Sequence, residues 1–179
     1  LILLACHSDD LQVDKEWRYY HGDLAGNQYS SLSQINQSNV DKLELAWTYE
    51  IPSEEAISTL KCNPLMVHGM VYAVTSAKNL VALNPETGEA LWYLNFQSLD
   101  SIGRPGNARG LQYWENGDDR RIFYVYADHL YAVNANDGTL VRSFGKNGRI
   151  SYRTGLNIDS DLIIRMTTPG VIYQNCLLY

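Results

Sequence analysis

Residues 82–92 read Ala-Leu-Asn-Pro-Glu-Thr-Gly-Glu-Ala-Leu-Trp, and residues 132–142 return to that plan as Ala-Val-Asn-Ala-Asn-Asp-Gly-Thr-Leu-Val-Arg. Ala82 and Ala132, Asn84 and Asn134, and Gly88 and Gly138 match at a constant offset of fifty residues. A period of this size suits one four-stranded propeller blade, a unit that buries its faces only by stacking on its neighbours. An array of sheets is therefore the architecture to expect, and the remaining patterns can be placed on it.

In each copy an apolar run ends at an Asn and meets a turn, where Gly88 or Gly138 supplies the positive φ of a tight reversal. Upstream, Pro64-Leu65-Met66-Val67 breaks at His68-Gly69 and resumes as Met70 to Val74, a hairpin pattern. One blade is expected over about 60–97 and a second over about 107–144, the latter built on Leu111 to Trp114, Arg121 to Tyr126 and Leu130 to Val133. Thr168-Pro169-Gly170-Val171-Ile172-Tyr173 opens a third, from about 165, followed by Cys176 to Tyr179. The fold class is all-β, a partial β-propeller of two blades and the start of a third.

Closed propellers carry about four to eight blades, so two and a part leave sheet faces open. The expectation is an N-terminal piece of a longer polypeptide. Thirteen Tyr and four Trp fit pleated, half-buried surfaces. A net charge of -6 argues against a nucleic-acid partner, which needs a basic face. No run approaches the roughly 18 apolar residues of a membrane span.

Leu1-Ile2-Leu3-Leu4-Ala5-Cys6, followed by polar His7-Ser8-Asp9-Asp10, reads as the tail of an apolar signal segment. It resembles the lipobox of bacterial lipoproteins. That implies lipidation at Cys6, export, and a tether to a membrane facing the periplasm, with 7–16 as a linker. Export would permit a disulfide between Cys62 and Cys176, but sequence does not place them together, and two buried free thiols are the expectation. His7, His21, His68 and His129 show no ligand spacing, which speaks against zinc.

Residues 17–49 hold turns at Gly22, Gly26 and Asn27, a short helical turn capped by Ser38 or Asn39, and a strand from Leu43 to Tyr49. In a closed ring such a strand would fill a place in the last blade, with Trp47 as part of the latch.

Five features in order carry a resemblance over about 16–179. They are the head from Trp17 through Gly22-Asp23, Gly26-Asn27 and Tyr29-Ser30; the segment Asn36 to Tyr49; Cys62-Asn63-Pro64-Leu65; the fifty-residue repeat; and Arg109-Gly110-Leu111-Gln112-Tyr113-Trp114. Together they resemble the pyrroloquinoline quinone (PQQ)-dependent dehydrogenases. The resemblance implies an eight-bladed propeller with PQQ at its axis, Ca²⁺ on the quinone, and an Asp as general base on a small-molecule alcohol or sugar substrate. Electrons would leave to ubiquinone or cytochrome c.

The resemblance also nominates cofactor-binding residues. PQQ carries three carboxylates, and the planar guanidinium of Arg109 is an apt partner for one of them. Thr167 or Thr168 matches a Thr hydroxyl near the cofactor. Lys61 stands where relatives often carry Gln or Glu, and its ammonium suits a carboxylate. The catalytic Asp and the Ca²⁺ ligands would lie beyond Tyr179. Asp128, Asp137 and Asp161 sit in turns, where Asp serves the backbone. Gly103-Arg104 and Pro105-Gly106 replace the adjacent Cys pair of the alcohol-oxidising branch, which favours sugars, polyols or cyclic acids. The competing reading is a non-enzymatic propeller lipoprotein of outer-membrane protein assembly; Arg109 in its Arg-Gly-x-x-Tyr-Trp setting favours the enzyme.

Overall fold

The computed structural model describes residues 16–52, 59–99, 109–156, 164 and 166–178. Cys6, Gly103 to Gly106 and Asp161 lie outside the described residues. Two antiparallel four-stranded sheets and a hairpin follow one another along the chain. The first sheet runs in sequence order through β1 (Leu65–Val67), β2 (Met70–Val74), β3 (Leu80–Leu83) and β4 (Ala90–Leu94). A short helix, α1 (Phe96–Leu99), leads out of it. The second sheet takes β5 (Gln112–Asn116), β6 (Asp119–Tyr126), β7 (His129–Asn134) and β8 (Arg149–Ser151), and the hairpin pairs β9 (Val171–Tyr173) with β10 (Cys176–Leu178).

The local chemistry of the hairpins explains their tightness. Between Val67 and Met70 the two loop residues, His68 and Gly69, have φ of 48° and 72°, the doubly positive pattern of turns that match strand twist. In the repeat, the Asn84 side chain accepts the Glu86 N–H at 2.8 Å, and Asn134 does the same for Asn136 at 2.8 Å. Gly88 and Gly138 both adopt φ of 74° and donate their N–H groups back to the carbonyls of Asn84 and Asn134.

Those glycines have a second purpose that φ alone does not reveal. A β-carbon on Gly138 would lie 2.6 Å from the Trp92 ring, and one on Gly88 would lie 2.5 Å from the Trp47 ring. Each indole N–H then donates to the carbonyl one residue after the turn Asn: Trp92 to Ala135 and Trp47 to Pro85, both at 2.9 Å. Trp92 thus seats the outer strand of the first sheet on the turn of the second. Trp47 stands to the first sheet as Trp92 stands to the second.

Stacking of the two sheets is aromatic. Phe96 of α1 is fully buried, with ring centroids 5.2 Å from Tyr124, 5.1 Å from Tyr126 and 4.9 Å from Tyr131. Such pairs contribute beyond their area, at roughly 0.5–1.5 kcal/mol each. The third hairpin meets the second sheet through Gln112, whose amide donates to the Gly170 carbonyl at 2.7 Å, and through Ile172 and Leu177.

Four expectations are corrected. The second sheet extends past residue 144: Leu140 bridges Val133, the chain leaves the sheet, and β8 resumes the pairing opposite Tyr131, Leu130 and His129. Positive φ at Gly145, Asn147 and Gly148 lets the excursion turn back. Cys176 is exposed, because the face that carries it has no covering layer among the described residues. Residues 43–49 carry no strand pairing among the described residues, although Trp47 is docked. Asn39 does stand at the N-cap of a 3-10 turn, Val40–Lys42, but makes no capping bond; its side chain instead accepts the Asn36 N–H at 2.8 Å.

Candidate functional site

β1, β5 and β9 are the first strands of their sheets, and β1 and β5 lie at sheet edges. Backbone hydrogen bonds tie the residues that lead into all three. The Asn63 N–H donates to the Arg109 carbonyl at 3.3 Å, and the Arg109 N–H donates to the Thr167 carbonyl at 3.2 Å. Sheets linked at their first strands in this way converge there, which makes this edge the axial side of a radial array.

Lys61, Arg109, Thr167 and Thr168, separated by more than a hundred residues in sequence, therefore belong to one end of three neighbouring first strands, and all four are exposed. Arg109 is central to the row, and its guanidinium makes no hydrogen bond or ion pair with any described residue. Thr168, unlike Thr167, also lines a groove with Tyr19, Tyr20 and His21. The structure thus brings the nominated residues to a common end without singling out one Thr as a ligand.

Around this row lie Lys78, which sequence reading did not find, and Cys62. Lys78 is 5 % exposed, and its ammonium donates to the Thr59 carbonyl at 2.6 Å. Burial lowers its pKa, and the charge of Lys61 lowers it further. Burial also pushes the Cys62 thiol up to about 11, against a backbone hydrogen bond from Val74 and the Lys78 charge. A thiol held protonated is a packing group, with no nucleophile or metal ligand to offer near neutral pH. The signal for Lys78 was a lone cation in a turn of small residues, Thr75-Ser76-Ala77, set between two apolar strands.

The opposite end of the first strands is closed by a compact ion cluster. Glu115, near the end of β5, accepts from Arg18, from His68 Nε2 at 2.7 Å and from the Tyr113 hydroxyl at 2.9 Å. Burial alone would raise this carboxyl; the three hydrogen bonds outweigh it and hold the pKa at about 2. Glu16 accepts from Arg18 at 2.9 Å and from the His68 backbone N–H at 3.0 Å. Next to it, Trp17 and Met66 exchange backbone hydrogen bonds of 2.8 and 3.0 Å along the free edge of β1. The head of the chain is thereby strapped across the axial edge of the first sheet.

The turn acids divide. Asp137 serves the backbone as expected, accepting the Thr139 N–H at 2.9 Å. Asp128 does not: its carboxylate pairs with Arg153 Nε at 3.1 Å and His129 Nδ1 at 2.8 Å. Among the described residues no three His, Cys, Asp or Glu side chains gather as a metal site.

The chain that folds into this array of sheets matches a known family model. Residues 17–179 match the model described as "PQQ: Glucose/ethanol/alcohol dehydrogenase, beta-propeller domain". The chain belongs to this family.

Among its curated relatives, the dehydrogenase subunit of an alcohol dehydrogenase (quinone) from Gluconobacter oxydans is 31% identical over 151 residues, covering 80% of this chain and 19% of that protein. Quinoprotein glucose dehydrogenase A from Acinetobacter calcoaceticus is 24% identical over 185 residues, covering 89% of this chain and 23% of its own length. In structure, the quinohemoprotein alcohol dehydrogenase from Comamonas testosteroni superposes with a TM-score of 0.62 at 27% identity, over 79% of this chain and 20% of that one. The chain spans about a fifth to a quarter of the length of these relatives. The PQQ family membership and the propeller architecture both follow.

Proposed function

We propose that the full-length protein carrying this chain is a PQQ-dependent dehydrogenase that oxidises an alcohol group of a sugar, polyol or cyclic acid. The observation that supports this most is Arg109. It stands at the junction of three first strands with no acceptor among the described residues for its guanidinium.

The donor set suits a polyanionic planar ligand. Arg109 offers paired N–H donors to a carboxylate, Lys61 adds a point charge at the same end, and the Thr167 and Thr168 hydroxyls can donate. When bound, PQQ supplies the hydride-accepting chemistry. The work of these residues is binding and orientation: the guanidinium fixes an anionic edge, and the backbone bonds through Asn63 and Thr167 place the Arg109 peptide at the junction of the strands. The resemblance puts the Ca²⁺ ligands and the Asp that takes the substrate proton beyond Tyr179, so no metal or proton step is assigned to the residues described.

The sugar, polyol or cyclic-acid assignment rests on Gly103-Arg104 and Pro105-Gly106 standing where a Cys pair would be. Ubiquinone or cytochrome c is the proposed electron acceptor. A lipid on Cys6 is the proposed membrane anchor on the periplasmic side, in keeping with the Leu1 to Cys6 run.

The test is reconstitution of the full-length protein with Ca²⁺ and PQQ, followed by dye-linked oxidation of glucose, quinate and glycerol. Turnover of one of these is expected. A folded protein that binds no PQQ would overturn the reading.

A further inference from the structure

The peptide of Arg109 is held by two hydrogen bonds, of 3.3 and 3.2 Å, both at or beyond the long end of the ordinary range. Such bonds alone define the root of a side chain loosely. The adjacent residue supplies what they lack. Gly110 is buried, and a β-carbon there would lie 2.8 Å from Cε2 of Tyr20, closer still to Cδ2, and 3.3 Å from Cβ of Pro169. The Tyr20 ring therefore lies directly on the Gly110 α-carbon, with Pro169 of the third hairpin's approach segment against the same atom.

Tyr20 is itself held. The Tyr20 carbonyl faces the Asn63 amide at 3.4 Å, and its ring meets His21 with centroids 4.6 Å apart. Upstream, Trp17 is bonded to Met66 and its ring packs on Gly22, while Arg18 and Glu16 are locked into the Glu115 and His68 cluster. The head is a strap with an ionic anchor at one end of the first strands and an aromatic plate at the other.

We infer that Tyr20 is a positioning residue: its ring, seated on Gly110, sets the direction in which Arg109 presents its guanidinium to an anionic ligand at the axial edge. This rests on the proposed role of Arg109 and adds to it an aromatic residue of the head. Only the ring plane is needed, so the hydroxyl is dispensable. Gly110 is required because any side chain would displace the ring.

The experiment is a PQQ titration of the full-length protein, read by absorbance and tryptophan quenching and requiring no turnover. Thermal unfolding of each cofactor-free variant is run in parallel. Tyr20→Ala is expected to weaken PQQ about tenfold, equivalent to ~1.4 kcal/mol, and Tyr20→Phe by less than about twofold. Gly110→Ala, which moves the ring without altering it, is expected to match Tyr20→Ala and serves if that variant does not fold. In an Arg109→Ala background neither change should weaken PQQ further, because coupled residues are not additive. Losses that multiply in the double variants, or full affinity in Tyr20→Ala and Gly110→Ala while Arg109→Ala is weakened, overturn the inference about Tyr20. Full affinity in Arg109→Ala alone overturns the Arg109 reading on which it rests.

Discussion

The first and second sheets share one turn and part company at the outer strand. In the first, β4 continues from Ala90 to Leu94 with a single irregularity opposite Ala82 and Leu83. In the second, from the same place in the register, the chain leaves after Val141, whose N–H still donates to the Ala132 carbonyl at 2.9 Å, and returns at Gly148, whose carbonyl accepts the Ala132 N–H at 3.0 Å. The residue matching Trp92 at the fifty-residue offset is Arg142, and the chain between carries Phe144, whose ring lies 5.4 Å from that of Phe123. Turn geometry is thus the fixed part of the repeat. The outer strand is the variable part, and its continuity goes with having an indole to deliver to the neighbouring turn.

Trp92→Ala breaks the comparison most severely, because it empties the seat on Gly138 and abandons the Ala135 carbonyl. A loss of about 3–5 kcal/mol is expected in denaturant unfolding of the full-length protein. Gly138→Ala attacks the same contact from the other side: a β-carbon meets the indole, and φ of 74° strains any L side chain. A loss of about 1–3 kcal/mol is expected, measured in the same way. Arg142→Ala, at the matching position of the second sheet, should change stability by less than about 0.5 kcal/mol. Equal losses for Trp92→Ala and Arg142→Ala would show that the two outer strands do the same work after all.

Acid tests the ionic strap between these effects. The Glu115 pKa falls from its usual 4.5 to about 2 in the folded protein, and Glu16 is lowered as well. Groups depressed by folding stabilise the folded state above their unfolded pKa, and that contribution fades as pH falls from about 4.5 towards 2. The Tm of the wild type should therefore drop over this window. Glu115→Gln should cost about 1–3 kcal/mol at neutral pH and flatten the drop. A drop of the same size in Glu115→Gln would remove the strap from the account.

Much of this plan was legible locally. β2 was readable to the residue as Met70 to Val74, and the Asn and Gly of each repeat turn announced their geometry, because a two-residue period and a positive φ are properties of adjacent residues. The PQQ family was legible from the head, the repeat and the Arg109 motif together. What escaped depends on partners far along the chain. Trp47 and Trp92 are aromatic residues in apolar patterns until a glycine about forty residues later removes the β-carbon beneath them. Glu115 belongs to a cluster with Arg18, 97 residues upstream, and no spacing rule connects them. Lys78 was readable only as a turn cation, since its acceptor is a backbone carbonyl. Arg109 was nominated from its motif alone, and its neighbours were not legible, because the backbone bonds to Asn63 and Thr167 join segments about fifty residues apart.

The first strands of successive sheets converge at one edge, and Arg109 is proposed to face an anionic redox ligand there. A structure of the full-length protein with PQQ bound tests it most directly. A guanidinium nitrogen of Arg109 is expected within about 3 Å of a PQQ carboxylate oxygen, the geometry of a charge-assisted hydrogen bond. Bound PQQ with the Arg109 guanidinium directed into bulk water would contradict it.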